Sequence, residues 1–204
     1  MCSDIERELP GFELFIAPLA VVLGPNDLER VQFAYFMSKF GHAKQTRESG
    51  ERFFDHPKMV AWIYIKELGG RDPRVVIDAL MHDILEDSYI ITLYRISRNL
   101  GEEIALDIRA LTKLLKKKEK IEEYLRRIIE RGPWTILTKL CDRLHNSRTL
   151  GARSLEKIKE QIAETREHIL PLLIPALKSY GGEWALYAEK LEGEINKAIL
   201  PYLV

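Results

Sequence analysis

Apolar residues recur along this chain at intervals of three and four over almost its whole length, and strict two-residue alternation is rare. That periodicity predicts helix after helix and an all-α fold. Residues 1–25 break the pattern with Pro10, Gly11, Pro18, Gly24 and Pro25, and are expected to form an irregular or partly helical N-terminal arm ahead of one domain over 26–204. Asn26 offers an N-cap with Glu29 three residues on, so a helix is predicted from there to about Ala43, burying Val31, Phe33, Ala34, Phe36 and Met37. After a polar loop, Lys44 to Asp55, Pro57 suits the first turn of a helix that Gly69-Gly70 stops. Asp72-Pro73 starts the next, predicted to run to about Asp87. Shorter helices follow from Thr92 and over roughly 102–115. A charged helix over 116–131 carries the stripe Ile121, Tyr124, Leu125, Ile128 and Ile129, and Gly132-Pro133 ends it. A helix from Trp134 to about Thr149 precedes two more over 154–204, the first segmented by Pro171 and Pro175. Trp62, Trp134 and Trp184 are expected in the core, and His42 and His168 at the surface or its boundary.

Composition narrows the functional classes. Lys plus Arg and Asp plus Glu number 31 each, so the chain as a whole has no pull on nucleic acid or an anionic membrane. Anion binding has to come from local clusters; the short run Lys116 to Lys118 reads as a solvated face. Cys2 and Cys141 suggest neither a disulfide framework nor a zinc finger, which fits a reducing, cytoplasmic setting. The apolar stretch Leu14 to Leu23 is too short to span a bilayer, so no membrane role is expected. Composition says nothing of the oligomeric state.

The densest chemical cluster is His82-Asp83-Ile84-Leu85-Glu86-Asp87. On a continuous helix Glu86 would stack one turn from His82, and Asp87 one turn from Asp83. His56 precedes a helix-starting proline, where a side chain can point into a cleft. Asp142 lies among Ile136, Leu137, Leu140, Cys141 and Leu144, close to a buried face. A buried carboxylate is costly without a partner, and a bound cation is the economical one. Cys141 would point about 100° around the helix from Asp142 and is expected to pack in the core. The mixed nitrogen and oxygen set His56, His82, Asp83 and Asp142 suits Mn²⁺, Fe²⁺ or Zn²⁺, with open positions for water and phosphate. Such a site supports hydrolysis of a phosphate ester or anhydride, with Glu86 and Asp87 as candidates to position water or accept its proton.

The ordered motifs are His56-Pro57, His82-Asp83 with Glu86-Asp87, Thr112-Lys113, and the run Lys139-Leu140-Cys141-Asp142-Arg143-Leu144-His145-Asn146-Ser147-Arg148-Thr149-Leu150. Together, over about residues 30 to 180, they resemble the hydrolase domain of the RelA/SpoT family, in the form of a stand-alone small alarmone hydrolase. The resemblance implies an HD-domain helical bundle, Mn²⁺ at His56, His82, Asp83 and Asp142, and the catalytic pair Glu86 and Asp87. It implies nucleotide contacts at Arg47, Ser49, Lys113, Asn146, Arg148 and Thr149. The implied reaction removes the 3′-pyrophosphate from guanosine tetra- or pentaphosphate. Three departures stand out: Glu48 where the family loop carries Lys, Ser88 where Thr is usual, and Asp55 before His56, where it is a candidate to orient that ring. Glu48 keeps open an HD phosphohydrolase acting on another nucleotide or dinucleotide phosphate. A non-catalytic nucleotide-binding module ranks behind both, since every ligand position is occupied by a competent residue.

Overall fold

The computed structural model describes residues 9–47, 50–113 and 119–203. These form α1 (Phe12–Ala20), α2 (Pro25–Gly41), α3 (Asp55–Trp62), α4 (Pro73–Met81), α5 (Ile84–Asp87), α6 (Leu93–Leu100), α7 (Glu102–Leu111), α8 (Ile121–Arg131), α9 (Pro133–Arg148), α10 (Leu155–Glu164), α11 (Leu170–Lys178) and α12 (Gly182–Ile199). No strand forms among the described residues. The all-α prediction holds.

Two helices are buried on most of their circumference and take the middle of the bundle. In α4 every residue from Val75 to Met81 is buried, and α9 buries eleven of its sixteen. α4 packs against α2, α3, α7 and α9; α9 packs in turn against α3, α8, α11 and α12. Local signals at the helix ends match the chemistry expected of them. Asp72 caps α4 by accepting from Arg74 N at 2.8 Å, Thr92 caps α6, and Pro133 occupies the first turn of α9. Gly132, with φ +113°, takes the bend between α8 and α9 that a side chain would strain.

Residues 12–20, within the stretch read as irregular or partly helical, form a helix whose Phe15 and Leu19 are fully buried in the main core, with Tyr35 and Trp62 against Phe15. Two large apolar side chains one turn apart outweigh Pro18 there. α2 starts at Pro25 behind Gly24, with no side-chain cap, so the Asn26–Glu29 box does not form. Its buried face is Val31, Ala34, Tyr35, Met37 and Ser38; Phe33 and Phe36 are 44% and 50% exposed on the other side. His42 is buried instead, stacked on Phe53 and paired with Gln45 Oε1 at 2.6 Å. Trp62 is buried, whereas Trp134 and Trp184 are partly buried against the core. Proline segments the helices over 155–178 as predicted, but through a π-turn at Thr165–Ile169 just ahead of Pro171.

The correction that matters most is in the helix predicted to run from Pro73 to about Asp87. It stops at Met81, and His82 and Asp83 form a turn before the single-turn α5. Gly41, at the end of α2, faces the Ile84 side chain at a distance that leaves no room for a Cβ.

Asp78, one turn before His82, is fully buried, and neither carboxylate oxygen finds a hydrogen-bond partner among the described residues. Burial pushes its carboxyl well above the ordinary range, and the neighbouring Asp107 carboxylate adds to this. Asp107 itself is held by Arg74 Nε and Arg131 Nε, each at 2.7 Å. A carboxyl with a raised folded value contributes its full stability below the unfolded value of about 3.9 and loses it as pH rises toward the folded value. Asp78→Asn, which keeps the neutral form, is therefore expected to raise the melting temperature, by more at pH 8 than at pH 4. An equal or lower melting temperature at pH 8 would contradict a protonated Asp78.

Candidate active site

His56 comes from the first turn of α3, His82 and Asp83 from the break between α4 and α5, and Asp142 from the middle of α9. Ligand atoms of His56, His82 and Asp83 all lie within 4.8 Å of one another. Asp142 brings Oδ1 to 3.1 Å from His56 Nε2 and 3.6 Å from His82 Nε2. Asp83 places Oδ2 at 3.4 Å from His56 Nε2 and Oδ1 at 3.1 Å from His82 Nε2. Metal bonds of about 2.1 Å separate neighbouring ligand atoms by roughly 3.0–3.5 Å; three of these distances fall in that range and the fourth, 3.6 Å, is just beyond it. The buried His82 Nε2 makes no hydrogen bond despite its short contact with Asp83, so the two atoms converge without pointing at each other. Donor set and geometry both fit a divalent cation.

The helix ends here: His82 keeps helical dihedrals, φ −57° and ψ −32°, and Asp83, at φ −95° and ψ −5°, turns the chain into α5. Glu86 and Asp87 consequently do not continue the helix of His82 as the sequence pattern predicted.

The surroundings keep the carboxylates ionised. Burial alone would raise Asp142, but the Lys139 ammonium and the two imidazoles outweigh it and hold the carboxyl well below the usual range. Lys139 Nζ donates to Asp142 Oδ2 at 2.7 Å, and Asn146 Nδ2 donates to Oδ1 at 2.5 Å. Asp83 is held low in the same way, chiefly by His82 against burial. The partner-facing nitrogens of both rings differ. His82 Nδ1 meets the Ala79 carbonyl at 2.8 Å, and His56 Nδ1 meets His145 Nδ1 at 2.8 Å. Asp55 does not orient His56: its oxygens bind Arg52 and Lys58, each at 3.1 Å.

His56, Asp83 and Asp142 open onto a cavity of about 430 Å³, with His82 buried behind them and not among its lining residues. Of the residues expected from the sequence, His56, Asp83, Asp142, Glu86, Arg47, Lys113 and Asn146 line it. Arg47 reaches across from the loop before α3 to donate to Asn146 Oδ1 at 2.9 Å. Glu86 Oε1 accepts from the Lys113 backbone N–H at 2.6 Å, and burial raises its carboxyl, with Asp83 adding to the effect. Asp87 is not among the lining residues; its carbonyl accepts from Gln45. Arg148 turns away from the cavity, bound to Glu67 at 2.6 and 3.0 Å and to Glu194 at 3.0 Å. Thr149 Oγ1 donates back to the carbonyls of His145 and Asn146. Both lie past the last cavity-facing turn of α9, where the helix has rotated away. Ser49, Glu48 and Lys116 to Lys118 lie outside the described residues.

The cavity also gathers residues to which the sequence reading gave no role. Lys139 and Arg143 share the Asp142 face of α9 at spacings of three, four and seven with Asn146, a row that helical periodicity could have revealed. Arg153, Lys157, Gln161 and Glu164 form a wall from α10 and the segment before it, and Glu164 pairs with Arg143. No spacing in the sequence links that wall to the candidate metal ligands. No helix among the described residues is long and apolar enough to cross a membrane.

No protein-family model matches the chain. Among curated proteins it is similar to a guanosine-3′,5′-bis(diphosphate) 3′-pyrophosphohydrolase of Aquifex aeolicus, with 37% identity over 180 residues covering 82% of the chain and 25% of the relative. It is also 33% identical over 169 residues to the bifunctional (p)ppGpp synthase/hydrolase SpoT of Escherichia coli K12, covering 79% of the chain and 24% of that protein. Among solved structures, a metazoan SpoT orthologue described as hydrolysing ppGpp superposes with a TM-score of 0.59, covering 84% of the chain and 96% of the other. At 20% identity that likeness bears on the fold alone. The chain thus spans about a quarter of the length of the curated relatives it matches, and it belongs to the RelA/SpoT family.

Proposed function

We propose that this cavity hydrolyses guanosine 3′,5′-bis(diphosphate) or its pentaphosphate counterpart at the 3′-pyrophosphate, releasing pyrophosphate and GDP or GTP, in a cytoplasmic enzyme. The observation that carries the reading is a buried His/Asp cluster opening onto a cavity walled by Arg47, Lys113, Lys139 and Arg143. His56, His82, Asp83 and Asp142 would hold Mn²⁺, which when bound acidifies a water and polarises a phosphoryl oxygen. Glu86, oriented by the Lys113 amide, takes a proton from the attacking water. Asp87, the other half of the catalytic pair, supports it from outside the cavity lining. The water oxygen bonds to the phosphorus carried by the ribose 3′-oxygen, the bond to that oxygen breaks, and the proton that Glu86 took from the water passes to the leaving oxygen. Arg47, Ser49, Lys113 and Asn146 bind the nucleotide, and the cationic wall balances charge on the departing pyrophosphate. Arg148 acts at one remove, by anchoring the end of α9 to Glu67 and Glu194.

Turnover of guanosine tetraphosphate with added Mn²⁺ is expected to yield pyrophosphate and GDP. Intact substrate, or orthophosphate as the product, would overturn the assignment; the second outcome would favour another nucleotide phosphate, the reading that Glu48 motivates. Mn²⁺ added to metal-stripped protein is expected to raise its melting temperature. Asp142→Asn should abolish that increment, and a variant that retains it would remove Asp142 from the ligand set. Glu86→Gln is expected to lower kcat by about 10²–10⁴-fold without weakening Mn²⁺ binding. Because burial raises Glu86, the acid limb of the wild-type rate profile should lie above the ordinary glutamate value of about 4.3, activity falling as pH drops through it. A wild-type acid limb at or below that value would argue against Glu86 as the base.

A further inference from the structure

We propose that His145 is a positioning residue for His56, held as the neutral tautomer that carries its proton on Nε2 and presents a bare Nδ1. The proposal rests on the reading of His56, His82, Asp83 and Asp142 as a metal site. His56 Nε2 faces Asp83 and Asp142, so the protein can orient the ring only through Nδ1. That atom lies 2.8 Å from His145 Nδ1, with ring centroids 4.8 Å apart and planes inclined by 45°.

Two ring nitrogens at this distance need one proton between them: two N–H groups would collide and two lone pairs would repel. Ligation through Nε2 requires the lone pair there, which puts the His56 proton on Nδ1. The acceptor is then His145 Nδ1, and its own proton must sit on Nε2. His82 achieves the same end differently. Its Nδ1 meets the Ala79 carbonyl, an acceptor with no tautomer to choose. His56 sits in the first turn of α3, and Asp55 beside it is taken up by Arg52 and Lys58. Its acceptor therefore comes from another helix. His145 is three residues beyond Asp142 on α9, so one helix both supplies a carboxylate ligand and aims an imidazole ligand. Support of this kind is worth about 10–100-fold in metal affinity.

The test uses the full chain, stripped of metal and titrated with Mn²⁺ by calorimetry. Wild type is expected to bind and Asp142→Asn to lose binding; no binding by wild type, or equal binding by both, overturns the metal reading and this proposal with it. His145→Ala should bind Mn²⁺ about 10–100-fold more weakly than wild type. His145→Asn, whose Oδ1 lies near the place of Nδ1 and can only accept, should recover most of that loss. An alanine variant that binds like wild type, or an asparagine variant as weak as the alanine one, would overturn the role of His145. A measurement on wild type does not depend on whether variants fold. With Zn²⁺ as a diamagnetic probe, ¹⁵N spectra of the imidazoles should show His145 protonated at Nε2 and His56 at Nδ1. A proton on His145 Nδ1 refutes the proposal.

Discussion

Asp142 is a carboxylate 3% exposed, set into a helix whose other turns are packed with Ile136, Leu137, Leu140 and Leu144. An ionised group in that position is unstable without compensation, and much of the surrounding architecture supplies it. Lys139 holds one oxygen, Asn146 and two imidazoles crowd the other, and Arg47 holds Asn146 from across the cavity. Remove the carboxylate and these groups lose the reason for their arrangement. The loop before α3, the first turn of α3 and the α4–α5 break all converge on it.

The same helix, α4, meets two buried acid clusters and treats them in opposite ways. At its end, Asp83 stays ionised because imidazoles face it. One turn before His82, Asp78 faces Asp107, and burial there favours the protonated form. Asp107 takes the two guanidiniums, so Asp78 is left without a cation of its own. The ionic cluster lies on the cavity side. The protonated Asp78 lies where α4 packs on α7, beside the ion-paired Asp107.

A chain with equal numbers of acidic and basic residues brings both signs together in one cavity lining. Arg74 and Arg131 serve Asp107 and Arg148 serves Glu67 and Glu194 away from it, whereas Lys139, paired with Asp142, and Arg143, paired with Glu164, line the cavity beside Arg47 and Lys113. In a partly water-excluded space such groups act on phosphate more strongly than they would in bulk water. Glu164 ties Arg143 in place, which fixes its position before a substrate arrives.

Periodicity, capping residues and proline or glycine breaks determine helices locally, and here they determined the all-α class, the starts of α4 and α9 and the ends of α8 and α9. The candidate cluster was equally legible, because a carboxylate at Asp142 within an apolar helix face and a His-Asp pair beside more acids are unusual on any local account. Ser49 was also named from the sequence, and it lies outside the described residues. Tertiary structure alone decided the rest. The stop at Met81 and the turn at His82 and Asp83 are not expressed by helical periodicity. The exposure of Phe33 and Phe36 depended on which face of α2 the other helices covered. Arg148 was claimed by carboxylates from α12 and the turn after α3. The α10 wall and the His56–His145 pair join residues far apart in the chain, and contacts of that kind are set by how helices pack.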